Sequence, residues 1–278
     1  MPRINSNIAA ITAARNLRVV QGNLNKSIER LSSGLRVNRG ADDAAGLAIS
    51  ESLRAQIRGY NQAVRNANDG ISLVQTAEGA LNELNALLTR AFELATQAAN
   101  GTLGTNERNA IHNEFSSIVT EITRISDTTT FNNSKLLDGT LASGATAVNI
   151  QVGITNSANS RISLNVVKDV DATHLSINDQ FLSTAAGALS ALAKISSAIS
   201  TVSSVRGELG AVQNRLTSAI NSLEITSENL QAAESLIRDA DFAYETAEFT
   251  KNSILNQAAT AVLAQANLVP QAVLTLLG

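Results

Sequence analysis

Apolar residues recur every three or four positions over most of the chain. In the first 40 residues the stripe is Ile4, Ile8, Ile11, Leu17, Val20, Leu24, Ile28, Leu31 and Leu35, the spacing of one face of a helix. It closes at Arg39-Gly40-Ala41-Asp42-Asp43. Gly40 suits a helix C-terminus there, and Asp42 or Asp43 can cap the next helix by accepting backbone N–H bonds. The second stripe runs from Ile49 through Leu53, Ile57, Val64, Ile71, Leu81 and Leu88 to Ala95. Its mean step is about 3.5 residues, the spacing of coiled-coil packing. Asn100-Gly101 stops it, and a shorter helix after Thr105 places Ile111, Phe115, Ile118, Ile122 and Ile125 on one side.

The pattern then changes. Residues 127–146 are rich in Thr, Ser, Gly and Asn and predict a loop. Val148, Ile150 and Val152 alternate with polar residues, as do Ile162, Leu164 and Val166. That period of two predicts a β-hairpin within 147–166 with one apolar face. Residues 167–180 show no period. From Leu182 a helical stripe returns through Leu189, Ile195, Val202, Leu209, Leu216 and Leu223 to Ile237. A last helix begins near Asp241. The fold class is mainly α: an elongated antiparallel helical bundle or coiled coil with a small β-hairpin, its N- and C-terminal helices paired at one end.

Charge sharpens that pairing. Residues 1–40 hold seven basic groups and one acid, a net of +6, whereas 221–251 hold two basic groups and seven acids, a net of −5. From Asn252 to Gly278 there is no charged residue. Asn256, Gln257, Gln265, Asn267 and Gln271 interrupt that tail and Pro270 should break it, so it predicts no membrane span. An uncharged apolar stretch of this kind wants a partner surface. The only prolines are Pro2 and Pro270, which leaves very long helices possible between them. Aromatic residues make up 3% of the chain and Trp is absent, so the core is aliphatic. There is no Cys, which excludes disulfides, zinc–thiolate sites and a cysteine nucleophile. Asn7 to Ala14 is too short and too weakly apolar for a cleavable signal peptide, so export would need a dedicated exporter.

Four segments carry a family resemblance. Ser27 to Arg54 (SIERLSSGLRVNRGADDAAGLAISESLR) and Ala67 to Glu83 (ANDGISLVQTAEGALNE) lie in the first half. Leu209 to Asp241 and Thr250 to Leu277 lie in the second. Together they closely resemble bacterial flagellin, the filament subunit, in a short form without large variable outer domains. The resemblance implies that 1–42 and 241–278 are paired terminal helices of a filament inner core, and that 43–240 is an outer-core bundle with the hairpin. It implies a secreted protein of the extracellular flagellar filament. Its expected partners are other copies of itself, the flagellar export chaperone and export apparatus, and the filament cap and hook-junction proteins. The alternative is a hook–filament junction (hook-associated) protein, which has similar terminal helices.

The expected assembly residues on the terminal helices are Ile8, Ile11, Leu24, Ile28, Leu31, Leu255, Val262, Leu263, Leu268 and Leu274. A second candidate surface lies at Leu88 to Gln97. Arg90, Leu94 and Gln97 stand at i, i+4 and i+7, with Ile111 and Glu114 on the next helix. In flagellins sensed by the animal flagellin-detecting Toll-like receptor, Arg, Leu and Glu at the places of Arg90, Leu94 and Glu114 form the recognition patch. The same surface, with Leu88, packs subunit to subunit. Phe92 departs from the charged residue common there. Nothing in the chain suggests catalysis, a cofactor or a metal. Asp42-Asp43 suits a cap, His112 and His174 lack ligand spacing, H-E-x-x-H is absent, and no Gly-Lys-Ser/Thr follows the glycines. The basic arm has no aromatic residue before Tyr60 on which a base could stack, which argues against nucleic acid. Ordering a residue costs about 1.5 kcal/mol, and two paired helices cannot bury all their sides. The ends are therefore expected to order fully on polymerisation.

Overall fold

The computed structural model describes residues 6–139, 148–164 and 169–274, with side chains as far as Leu268. Ile4 and Val166 of the predicted stripes lie outside them. The chain forms two compact units, Met1–Ile57 with Glu228–Gly278, and Arg58–Ser227.

The unit of the chain ends is built on α1 (Ile8–Ser33) and α5 (Phe242–Leu274), with the first turns of α2 (Ala44–Ala98) and the last of α4 (Ala185–Arg238). Asn7 opens α1 by accepting the Ala10 N–H at 3.1 Å on its side chain. The helix stops at Ser33, earlier than the stripe predicts, because Gly34 takes a left-handed φ of 71° and donates its N–H to the Arg30 carbonyl. Leu35 therefore leaves the helix and pairs with Asp239 in an isolated antiparallel bridge. Gly40 is not the terminator; it lies in the linker. Of the two candidate caps, Asp43 caps α2, and Asp42 instead ties the linker that precedes it. Asp43 accepts the Gly46 N–H at 2.9 Å and opens α2, while Asp42 accepts the N–H groups of Arg39 and Asn38. Asp241 opens α5 by accepting from Ala243 and Tyr244.

α1 and α5 run antiparallel. Asn7 Nδ2 donates to the Ala266 carbonyl at 2.7 Å at one end, and Arg30 faces Glu245 at 3.5 Å toward the other. The predicted break at Pro270 does not occur, since α5 continues to Leu274. One proline removes one backbone hydrogen bond, which a helix of 33 residues tolerates near its end.

The Arg58–Ser227 unit holds the aliphatic core. α2 and α4 cross it antiparallel: Asn61 meets Ser227, Gly70 lies under Leu216, and Glu78 faces Arg206. α3 (Thr105–Thr128) adds Ile111, Phe115, Ile118 and Ile122 to Leu81, Leu84, Leu88, Leu94, Ile195 and Leu209 in one cluster. By length and composition alone α4 could cross a membrane; its buried stripe instead lines this core. The start of that stripe differs from expectation. Ala188 and Ala191 are buried while Leu189 is exposed, because two alanines let the helices approach and turn the leucine outward.

The predicted hairpin is present as β3 (Asn149–Gln151) and β4 (Arg161–Ser163), antiparallel with Ile150 opposite Ile162. It lies against α2, where Asn66 donates to the Gln151 carbonyl and a Cβ on Gly70 would stand 3.0 Å from Ile150. A second, unpredicted hairpin joins β1 (Thr130–Phe131) to β2 (Ser134–Lys135). Asn132 and Asn133 turn it with φ of 45° and 66°, the left-handed pair that a two-residue turn of this hand requires. Beyond it Leu136 and Leu137 are fully buried. The aperiodic segment from Asp169 to Thr184 is packed rather than loose, with Val170, Ile177 and Leu182 fully buried.

Candidate assembly interface

The terminal pair exposes most of what is apolar in it. Along α1 only Ala13 and Ser27 are buried. Ile8 and Ile11 are 62% and 66% exposed, and Val19 and Ile28 are also open. On α5, Leu255, Val262 and Leu268 are exposed. Leu24, Leu31 and Leu263 are half-buried between the two, and Leu274 lies beyond the described side chains. The pair thus brings the predicted assembly residues onto one antiparallel two-helix body, with few of them covered. An apolar surface of this extent marks a contact site.

What the pair does bury is partly polar. Ser27, Glu245 and Asn252 are buried, and Arg30 reaches Glu245 from the opposite helix. A charged pair across two helices disfavours any register that separates its partners.

Phe242 and Tyr244, 59% and 64% exposed at the start of α5, escape the stripe pattern. They account for two of the chain's eight aromatic side chains. Two aromatics in three residues of an aromatic-poor chain was the available signal.

The second candidate surface divides by depth. Arg90 Nε and Nη2 donate to one oxygen of Glu114 at 3.1 and 2.8 Å, and Nη1 donates to Glu93 at 3.1 Å. Those bonds, to Glu114 first and then Glu93, hold the guanidinium above its ordinary pKa. Gln97 is exposed beside this fork and Phe92 is 39% exposed. Leu88, Leu94 and Ile111 are not on the surface; Leu94 is 1% exposed, and all three belong to the core beneath. Helical spacing placed them on the right flank but not at the right depth. Among the described residues no three His, Asp or Glu side chains form a cluster that could hold a metal ion.

Family comparison bears on the same segments. Residues 4–142 match the bacterial flagellin N-terminal helical region, and residues 192–277 match the bacterial flagellin C-terminal helical region. The chain belongs to the bacterial flagellins. It is 50% identical to the flagellin of Halalkalibacterium halodurans over 99% of both chains. It is 48% identical to that of Bacillus subtilis over the same share of each. Among solved structures it resembles Bacillus cereus flagellin, at 28% identity and a TM-score of 0.50, over 57% of this chain and 88% of that one. A putative flagellar hook-associated protein from Vibrio parahaemolyticus shares the fold, with a TM-score of 0.57 at 15% identity over 71% of this chain and 99% of that one. Fold is thus common to both flagellar classes, and sequence separates them in favour of flagellin. This flagellin is a structural subunit that polymerises into the helical filament of the bacterial flagellum and so serves swimming motility.

Proposed function

We propose that the α1–α5 pair is the surface through which subunits join at the filament's inner core, and that 43–240 forms the outer core around it. The observation that carries this is the row of exposed aliphatic side chains, from Ile8 and Ile11 on α1 to Val262 and Leu268 on α5, on a pair with almost no covered core of its own. Contact with several neighbours supplies the burial that two helices cannot give each other. The same surface on an unassembled subunit suits an escort that shields it, so the export chaperone is assigned to the α5 region, before secretion through the export apparatus. The cap and the hook-junction proteins then meet the chain at the filament's two ends.

Leu263→Asp tests the reading. It sets a carboxylate in a segment with no charge of either sign, from Asn252 to Gly278. Burying it unpaired costs several kcal/mol per subunit. The expected result is a monomer with nearly unchanged helicity that no longer extends seeded filaments. Normal filaments seen by electron microscopy from this variant would sink the buried-tail assignment.

The exposed part of the second surface, the Arg90–Glu114 fork, favours a further reading. It fits a protein contact, with a neighbouring subunit in the filament and with the animal flagellin-sensing receptor when the subunit is free.

A further inference from the structure

We infer that a groove in the Arg58–Ser227 unit, between the β3–β4 hairpin and α4, receives an acidic side chain from a second copy of this chain. Arg161 and Arg215 hold it. The inference rests on polymerisation and adds a contact outside the terminal helices.

The groove is an open cavity of about 550 Å³. Arg161 and Asn159 reach it from the hairpin side, and Asn214, Arg215 and Ser218 from α4, over an apolar floor that includes Val152 and Ile162. Every polar side chain there can donate a hydrogen bond, two are cationic, and no carboxylate side chain lines the wall. Like charges on one groove repel unless an anion lies between them.

The two arginines meet no carboxylate among the described residues, as is also true of Arg65 and Arg108, which donate to neutral oxygens. Arg54, Arg90, Arg124 and Arg238 each meet a glutamate. Arg161 instead donates from Nε to the Gln151 amide oxygen at 3.0 Å and from Nη2 to that of Asn156 at 2.8 Å. Those neutral acceptors fix the guanidinium plane and leave its charge uncompensated. Arg215, on α4, makes no hydrogen bond or ion pair among the described residues. An arginine oriented in this way is set to take a carboxylate through two parallel N–H···O bonds. The apolar floor accommodates the methylene stem of Asp or Glu, and the asparagines can donate to any oxygen left over.

The occupant follows from the geometry of helical polymers. Subunits of an open helical assembly meet through heterologous contacts, so a patch on one copy faces a different patch on the next. A cationic groove then needs an anionic site elsewhere on the same chain. The unit supplies several. Asp69, Glu83, Glu107, Asp179 and Glu224 are exposed and enter no ion pair among the described residues. Packing between copies removes water from the groove, which raises the worth of a pair that would contribute little on a free surface.

The absence of cysteine makes the test clean. Arg215→Cys carries a single thiol, which is labelled with a maleimide–benzophenone. A small share of this variant is mixed with wild-type subunits and extended from seeds, so that filaments form even if the variant alone assembles poorly. Irradiation is expected to join two chains in filaments and not in monomer, and the joined peptide should carry one of the five carboxylates named above. In parallel, filaments of Arg161→Gln and of Arg215→Gln should lose subunits about fivefold faster than wild type at low salt, with the gap closing at high salt. Labelled filaments with no interchain product, or a product on a peptide without an acidic residue, would overturn the groove contact while leaving the terminal-helix contact intact. Unchanged loss rates in both glutamine variants would overturn it as well. Wild-type subunits that never extend a seed would remove the polymer reading and this one together.

Discussion

Arg90 spends its donors inside its own subunit, on Glu114 and Glu93. A second protein therefore meets a pre-arranged fork rather than a free cation, with little side-chain freedom left to lose. Arg90→Ala releases Glu114 and removes the arginine stem together. Monomer carrying it is expected to signal at least about tenfold less in receptor reporter cells, and its filaments should melt at lower temperature. Wild-type filament, stabilised against dissociation, should signal poorly because the fork is covered; equal signalling by filament and monomer would end the dual-contact reading. Asp42 gives a prediction in pH. Lys26 at 2.8 Å, and then the Arg39 N–H, hold its carboxyl below the ordinary 3.8. Its folded pKa is lower than its unfolded one, so its contribution is complete above 3.8 and is lost as pH falls through the folded value. Asp42→Asn should lower the urea midpoint at neutral pH, and the difference from wild type should shrink as acid protonates the native carboxyl. A gap that stays constant down to strong acid would show that Lys26 does not matter there. Asp43→Ala, which deletes the α2 cap, should cost about 1 kcal/mol at neutral pH.

At the scale of elements, the long helices were legible because their apolar positions repeat many times, and repetition survives a few misplaced residues. Val202, Val205, Leu209, Val212 and Leu216 are buried as the stripe of α4 requires. Short elements were less legible. The β1–β2 hairpin spans two residues a side and depends on Asn132 and Asn133 accepting positive φ, a signal that a Thr-, Ser- and Asn-rich stretch conceals. The end of α1 went astray for a related reason. Two glycines, Gly34 and Gly40, stood near the end of the stripe. The one that stops the helix is the one whose following residues bond to the end of α4, through Arg36 N–H to the Arg238 carbonyl. That partner lies two hundred residues away and no local pattern contains it. The exposed aliphatic residues of the terminal pair were legible as a stripe. The depth of Leu88, Leu94 and Ile111 was not, because period gives a face while burial depends on α3 folding over α2. Arg161 and Arg215 share no local pattern, and only the hairpin's seat beside α4 brings them to one groove.

The whole molecule divides its burial unevenly, and this sets where it opens first. The Arg58–Ser227 unit encloses a continuous aliphatic core, with Leu81, Leu84, Leu88, Ile122, Ile195 and Leu209 fully covered. In the terminal unit, α1 covers two residues, and the described side chains of α5 cover three: Glu245, Asn252 and Ala266. Segments with few buried apolar contacts open locally at low free energy, and proteolysis samples those openings. Trypsin has Arg15, Arg18, Lys26 and Arg30 on α1 and Lys251 on α5. Brief digestion of monomer should therefore cut at those sites first and leave a resistant body ending near Arg39 and Lys251, although α2 and α4 offer many arginines of their own. In the filament the same five sites should be cut at least about tenfold more slowly, since neighbouring copies cover the helices and raise the cost of opening them. Mass spectrometry of timed samples reads both rates. Cutting within 58–227 of the monomer as early as within α1 would show that burial does not rank the two units. Equal cutting of α1 in monomer and filament would show that polymerisation does not cover the terminal pair, against the assembly interface itself.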